Sequence, residues 1–383
     1  MRWLLALLLI GAAEPEPSVT LSADSEGRWV PFELTPGNQI RFTAEVDGKP
    51  VAAILDTGVS HSLLSRAVAD PARVRAGGQG EAVGGTVALG WVATARVAFG
   101  GLTRGGGGLS VAALPGTATG GGERIEMLVG RDLLEDVALD IDFAARRFRL
   151  LRSGRLPFAG DVAPLSVSGA RQVYESELML DGRRIAPVIV DTGDGAAVTL
   201  ADAVWRAALP AGLPTTDALA FGLAGPVVSA LAIAPALELG QLAVRDVEVR
   251  IEPAGGFADR TGTAGRIGTG LLGHYRVLLD PGAGRMVLSA QAGAGRPPLR
   301  STSGLLLAVR PDRLEVLHVM RGGPAAAVGW RAGDLICSVD GIAIDAGYAG
   351  SALAGWSVAA VGRAVGLGLC DGTQRTLVLR HFY

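Results

Sequence analysis

Residues 54–58 read Ile-Leu-Asp-Thr-Gly, and residues 189–193 read Ile-Val-Asp-Thr-Gly. Each motif ends an apolar run and begins a longer pattern with matching internal spacing. The first is followed by Leu-Val-Gly at residues 128–130, and the second by Arg-Ile-Gly at residues 266–268. A repeat of this length predicts two copies of one folding unit, and each copy contributes one carboxylate.

The sequence before each motif predicts a β-hairpin. Apolar and polar residues alternate over residues 40–46, and Asp47-Gly48 is typical of a tight turn. The same pattern precedes the second motif, where the turn is Asp181-Gly182. Helical patterning is sparse, and residues 200–208 are the best short candidate. We therefore expect both copies to be mainly β.

These patterns divide the chain into five segments. They are a signal peptide over residues 1–13, a first lobe over 18–158, a second lobe over 159–290, a linker over 291–302 and a C-terminal domain over 303–383. The linker is rich in small residues and proline, which suits a connection outside the duplicated unit.

The N-terminus has the features of a secretory signal. Met1-Arg2 precedes the apolar residues 3–10, and small residues follow at 11–13. This apolar stretch is shorter than the ~20 residues that a bilayer span needs. We therefore expect a cleaved signal and a periplasmic or secreted protein, and an uncleaved membrane anchor is the alternative.

Composition excludes several classes of function. The 383 residues are 49% hydrophobic and carry a net charge of −2, so no basic surplus exists to bind nucleic acid. The four histidines are scattered without ligand spacing, and we expect no metal and no cofactor. Cys337 and Cys370 either pair in an oxidising compartment or remain buried thiols, and both alternatives are open.

Two carboxylates on related lobes suit peptide hydrolysis through an activated water. Like charges in a poorly solvated cleft repel each other, so one carboxyl stays protonated while the other takes a proton from water. Asp56 and Asp191 are therefore the predicted catalytic residues. The glycine that ends each motif lets the backbone turn and approach the partner loop closely.

These motifs, with Leu-Val-Gly-Arg-Asp-Leu-Leu over residues 128–134, resemble the retropepsin-like aspartic proteases, particularly their exported bacterial relatives. The resemblance covers residues 30–290 and implies that both aspartates are catalytic. It also implies support of the two loops by Thr57, Gly58, Thr192 and Gly193. Duplication would supply both halves in one chain, so we expect a monomer. The glycine-containing segments at 84–85 and 222–225 are the flap candidates, and Val59 and Asp194 depart from the family pattern.

The C-terminal segment resembles a bacterial PDZ domain, because residues 322–341 run Gly-Gly-Pro-Ala-Ala to Val-Asp-Gly with the spacing of that family. The family's carboxylate-binding loop would lie at Gly304, Leu305, Leu306 and Leu307, without its usual second glycine. We expect this domain to bind substrate C-termini through backbone N–H groups. A module that only packs against the protease is the alternative.

Together these features predict an aspartic endopeptidase with two retropepsin-like β lobes and a C-terminal PDZ domain. Its partners would be peptide or protein substrates. A non-catalytic peptide-binding protein and a structural envelope protein are the rival interpretations. The distance between Asp56 and Asp191 discriminates among them, since a binding module does not need the two carboxylates together.

Overall fold

The computed structural model describes residues 17–120, 124–209 and 212–383. The predicted signal peptide over residues 1–13 lies outside these ranges. The described residues form four β-sheets with a few short helices, so the expected mainly β fold is confirmed. No helix in these ranges is long and apolar enough to cross a membrane.

Short strands follow one another along most of the chain. Those up to residue 152 are β1 (Ser18–Leu21), β2 (Val30–Pro31), β3 (Glu33–Leu34), β4 (Ile40–Val46), β5 (Lys49–Leu55), β6 (Leu63–Ser65), β7 (Arg75–Ala82), β8 (Gly85–Ala93), β9 (Arg96–Phe99), β10 (Leu102–Gly105), β11 (Gly108–Ala112), β12 (Met127–Val129), β13 (Val137–Asp142) and β14 (Arg147–Arg152). Those up to residue 290 are β15 (Asp161–Pro164), β16 (Ser166–Val167), β17 (Tyr174–Leu180), β18 (Arg183–Asp191), β19 (Val198–Ala201), β20 (Thr215–Gly222), β21 (Gly225–Leu239), β22 (Leu242–Glu252), β23 (Gly265–Gly268), β24 (Tyr275–Asp280) and β25 (Arg285–Ala290). The last are β26 (Leu305–Val309), β27 (Leu314–Val319), β28 (Leu335–Val339), β29 (Ile342–Ala343), β30 (Ala364–Leu369) and β31 (Gln374–Val378).

The helices are short. The α-helices are α1 (Asp202–Ala208), α2 (Phe257–Thr261), α3 (Thr269–Leu272) and α4 (Pro324–Ala327). Turns of 3-10 helix lie at Ser25–Gly27, Gly116–Thr119, Arg131–Leu133, Pro281–Ala283, Tyr348–Gly350 and Ala352–Val358. The helix expected over residues 200–208 is α1, which begins two residues late because β19 continues to Ala201.

Two large sheets carry the two Asp-Thr-Gly motifs. Within the first sheet the strands run β4-β5-β12-β6-β11-β8-β7, and within the second they run β17-β18-β23-β19-β22-β21-β20. Each strand of the first series has its counterpart in the second at the same place in chain order. The pairs β5–β12 and β18–β23 are both parallel. The sequence repeat is therefore matched by a repeated strand order.

The predicted hairpin turns are confirmed. Burial alternates along β4, with every second side chain in the core. Asp47 and Gly48 both have positive φ, as do Asp181 and Gly182, and this conformation joins two strands through a two-residue turn. The glycine-rich residues 76–90 lie within the paired strands β7 and β8, which meet at a tip at residues 83–84.

A third sheet, which we call the shared sheet, joins the two parts of the chain. Its order is β15-β25-β24-β13-β14-β2, and β13 pairs with β24 in antiparallel register. One continuous hydrophobic core extends from Phe32 to Leu288 and includes residues from both large sheets. Burial of apolar surface therefore fixes the two motif-bearing sheets against each other.

The fourth sheet, which we call the C-terminal sheet, has the order β26-β27-β28-β30-β31 with β29 paired to β28. It has its own core around Trp330 and Trp356. Cys337 and Cys370 form a disulfide within it, which settles the alternative that the sequence left open. No helix or strand lies between Ala290 and Leu305, where a linker was expected.

Candidate active site

The two aspartates leave the carboxyl ends of buried parallel strands. Strand β5 ends at Leu55 and β18 ends at Asp191, and the side chains of Leu55 and Val190 are fully buried. The Asp56 N–H donates to the Val129 carbonyl of the neighbouring strand at 2.9 Å. Each carboxylate is therefore held on a rigid strand end rather than on a mobile loop.

The threonine hydroxyls tie the two motifs together across the interface. The Thr57 hydroxyl donates to the Val190 carbonyl at 2.7 Å and accepts from the Thr192 N–H at 3.0 Å. The Thr192 hydroxyl donates to the Leu55 carbonyl at 2.7 Å and accepts from the Thr57 N–H at 3.1 Å. Both threonines are fully buried, so these four bonds fix the relative position of the two aspartates.

The glycines bring each loop against the opposite carboxyl group. A Cβ atom added to Gly58 would lie 2.4 Å from Asp191 Cγ, and one added to Gly193 would lie 2.4 Å from Asp56 Cγ. No side chain fits in either gap. Glycine is therefore required at positions 58 and 193, because each loop packs directly against the carboxyl group of the opposite motif.

The two carboxyl groups differ in acidity. Burial and the facing Asp191 carboxylate raise the pKa of Asp56 well above its usual range. Burial also raises the pKa of Asp191, helped by the charge of Asp194, but the Arg266 guanidinium opposes this and the pKa is about 6. The Arg266 guanidinium, 3.7 Å from Asp191 Oδ2, favours the negative charge of the pair on Asp191.

The carboxyl pair lies in a cavity of about 370 Å³ between the two large sheets. The β7–β8 hairpin and the β20–β21 hairpin reach it from opposite sides. Their tips meet where the Ala224 N–H donates to the Val83 carbonyl at 3.2 Å, and both tips line the cavity. Arg260 fastens the first hairpin through Glu81 at 2.6 Å. Both glycine-containing flap candidates therefore cover the carboxyl pair.

Asp194 belongs to a buried charged cluster behind Asp191. Its carboxylate accepts from Arg266 Nε at 3.0 Å and from the Thr199 hydroxyl at 3.1 Å. Arg266 also donates to Glu252 at 2.8 Å, and its Nε lies 3.7 Å from Asp191 Oδ2. Burial opposes ionisation of Asp194, but Arg266 and Arg250 outweigh it and hold the Asp194 pKa below its ordinary value.

The corresponding place in the first sheet is apolar. Strand registers pair Leu63 with Leu128 and Ser110, and they pair Thr199 with Arg266 and Arg250 in the second sheet. The counterparts of the charged cluster are therefore Val59, Leu63, Ser110, Ala112 and Leu128. Most of these pack into one small hydrophobic cluster. The cavity consequently has an apolar side and a charged side.

The C-terminal sheet packs against the second sheet beside this site, as the alternative of a packing module expects. Asp217 on β20 accepts from His318 Nε2 at 3.0 Å and from the Arg321 N–H at 2.8 Å. Met320 and Tyr383 pack on Leu231 of the second sheet. The reason is apolar burial, since these side chains cover one another.

The loop proposed to bind carboxylates is only partly available for that role. The Gly304 N–H donates to Ser301 Oγ at 3.0 Å, and the Leu305 N–H donates to Ser303 Oγ at 3.1 Å. A carboxylate bound by these two N–H groups would have to displace the serine hydroxyls that already accept from them. Leu306 and Leu307 instead line the cavity beside the aspartates.

Comparison with known families supports the chemistry of the first motif. A family model described as Aspartyl protease matches residues 42–133, which contain Asp56 and the β12 strand beside it. No curated protein matches the chain. Within the described ranges no group of three or more His, Cys, Asp or Glu side chains is arranged to hold a metal ion. The match supports a peptidase of the aspartyl type acting on a peptide substrate.

The charged cluster was not recognised from sequence. The sequence pattern indicates only Asp194, as a departure from the family pattern, and it assigns no chemical role to Glu252, Arg250 or Arg266. A signal was present, because the repeat aligns Arg266 with Leu128. A charge at a position that is apolar in the other copy marks a difference between the two halves.

Proposed function

We propose that this protein is an aspartic endopeptidase whose catalytic pair is Asp56 and Asp191. The observation that carries the proposal is the close approach of the two carboxyl groups, each packed against the glycine of the opposite motif, inside a covered cavity. A module that only binds peptides has no need of two facing carboxyl groups, because the repulsion between them lowers the stability of the folded protein. An extended substrate would lie beneath the hairpin tips with its scissile carbonyl at the pair.

In the proposed mechanism Asp191 is the base and Asp56 the acid. Asp191 takes a proton from water as the oxygen attacks the carbonyl carbon, and Asp56 donates its proton to the carbonyl oxygen. The tetrahedral intermediate then collapses, the C–N bond breaks, and the nitrogen takes up a proton from the pair. The Arg266 guanidinium near Asp191 favours this distribution of the proton.

The finer organisation is part of the same proposal. We propose two retropepsin-like lobes over 18–158 and 159–290, a linker over 291–302 and a PDZ domain over 303–383, with both catalytic halves in one monomer. The repeated strand order supports the lobes. The Cys337–Cys370 disulfide supports export to an oxidising compartment, where such bonds persist.

Incubation with a random peptide library across acidic to neutral pH tests this function. Hydrolysis requires the pair with one proton, so the rate should rise as the pH increases through about 6, where Asp191 ionises. It should fall again only when Asp56 loses its proton at higher pH. A rate that already reaches its plateau near the ordinary aspartate pKa of about 3.9 would contradict the assignment.

The contact between the C-terminal sheet and the second hairpin should influence cleavage of short internal peptides. Asp217→Ala removes the acceptor of His318 and Arg321, which costs about 1–3 kcal/mol of folding free energy and loosens the β20 strand above the cavity. We expect a lower kcat/KM and a lower Tm. The control is Glu238→Ala, an exposed position on β21. Unchanged kinetics in Asp217→Ala would assign this contact no part in activity.

A further inference from the structure

The charged side of the cavity contains a guanidinium, that of Arg250, which forms no side-chain hydrogen bond with the described residues, although its charge acts on the carboxylates of Asp194 and Glu248. Arg250 is half-buried on β22, and its Nε atom is buried without a hydrogen bond. No ion pair of the described residues includes it. A buried donor that is left unsatisfied costs free energy, so a bound ligand with an acceptor would stabilise this site.

Two of the nearby carboxylates, Asp194 and Glu252, already accept hydrogen bonds from other donors. Asp194 accepts from Arg266, from Thr199 and from the Ala196 N–H at 2.9 Å. Glu252 accepts from Arg266 and from the Ala258 N–H at 2.8 Å. Arg266 itself is 4% exposed, and its Nη1 atom is buried without a partner. Two guanidinium groups on this side of the cavity therefore retain unused donors.

Arg250 also stands where two cavities meet. It lines the cavity of the carboxyl pair and a second cavity of about 440 Å³ between the second sheet and the C-terminal sheet. Leu219, Leu306 and Leu307 line both cavities as well. A substrate that extends along the cleft past Asp191 would thus meet the Arg250 guanidinium among apolar side chains. These apolar surroundings strengthen a charge-assisted hydrogen bond to the guanidinium.

We propose that Arg250 forms a carboxylate-binding subsite on the Asp191 side of the cleft, so that the enzyme prefers substrates with a carboxylate there. This proposal rests on the proposed peptidase function and specifies the class of substrate that the peptidase prefers. The carboxylate is either a glutamate or aspartate side chain or a free chain terminus. The first sheet offers no such preference, because the counterpart of Arg250 is Ser110 beside apolar residues.

The test uses matched peptide libraries that differ at one fixed position, moved stepwise across the cleavage site. One set carries Glu and the other Gln, and each is made with a free and with an amidated C-terminus. We expect the native protein to prefer carboxylate over amide by about 10- to 100-fold on one side of the cleavage site only. A preference that follows Glu identifies a side-chain carboxylate, and one that follows the free terminus identifies a chain end.

Three variants assign the preference to Arg250. Arg250→Met should abolish it, and Arg250→Glu should turn it into a preference for Lys over Gln. Arg245→Met, which removes an exposed guanidinium from the same strand, should leave it unchanged. Melting curves establish that all three are folded. No preference in the native protein, or an equal preference in Arg250→Met, overturns the subsite.

Binding separates this proposal from the proposed hydrolysis. The same peptides, labelled for fluorescence anisotropy, are titrated into the Asp56→Asn protein and into that protein carrying Arg250→Met. Arg250-dependent binding without any cleavage by the native protein would retain the subsite and reject the peptidase. Cleavage with no dependence on Arg250 in either assay would retain the peptidase and reject the subsite.

Discussion

Asp56→Asn and Asp191→Asn should each reduce peptide hydrolysis by about 10²- to 10⁴-fold, because each variant lacks either the acid or the base of the pair. An amide in place of Asp191 cannot take a proton from water. An amide in place of Asp56 cannot donate one to the carbonyl oxygen. The measurement is kcat on a peptide that the native protein cleaves, with Asp136→Asn, the same change at an exposed turn, as the control.

The folded state of both variants should remain intact. The pKa of Asp191 is about 6 in the folded protein, above the ordinary value, so its contribution to stability is present in acid and is lost as the pH rises through 6. Asparagine has no such ionisation, and we expect the Tm at neutral pH to stay equal or to rise. Near-native turnover by either variant would reject the catalytic pair.

Arg266→Leu should produce the largest loss of stability. The guanidinium is 4% exposed and pairs with Asp194 and Glu252, so its removal leaves buried carboxylates without a counter-charge. Such a loss costs about 3–5 kcal/mol. Arg266 also lowers the pKa of Asp191, so in its absence that pKa rises and the acid limb of the activity profile moves to higher pH. Chemical denaturation and a pH–rate profile measure the two effects.

The first sheet supplies a rescue for this variant. Arg266→Leu combined with Asp194→Val and Glu252→Ala copies the apolar counterparts Leu128, Val59 and Ala112. This triple variant removes the unpaired charges together with their partner and should recover most of the lost stability. An Arg266→Lys variant keeps the charge and should move the acid limb less. An unmoved acid limb in Arg266→Leu would show that Arg266 does not bias the proton.

The sequence determined the parts of the fold that rest on local patterns. Alternating apolar residues predicted β4, and the turns at residues 47–48 and 181–182 predicted the hairpins, because strand period and turn chemistry are local properties. The repeated motif predicted two carboxylates, one from each copy of the folding unit. The glycine that ends each motif predicted a close approach of the two loops. In the structure a Cβ atom added to Gly58 or Gly193 would collide with the opposite carboxyl group.

Tertiary structure alone decided how the two halves differ and where the C-terminal sheet lies. Arg250, Glu252 and Arg266 are distant from Asp191 in sequence, and only the pairing of β19 with β22 and β23 brings them together. The composition of residues 291–302 predicted a linker but not the position of the C-terminal sheet, because linker composition carries no information about which apolar faces meet. Met320 and Leu231 bury each other across that linker, and this long-range burial places the C-terminal sheet against the cleft.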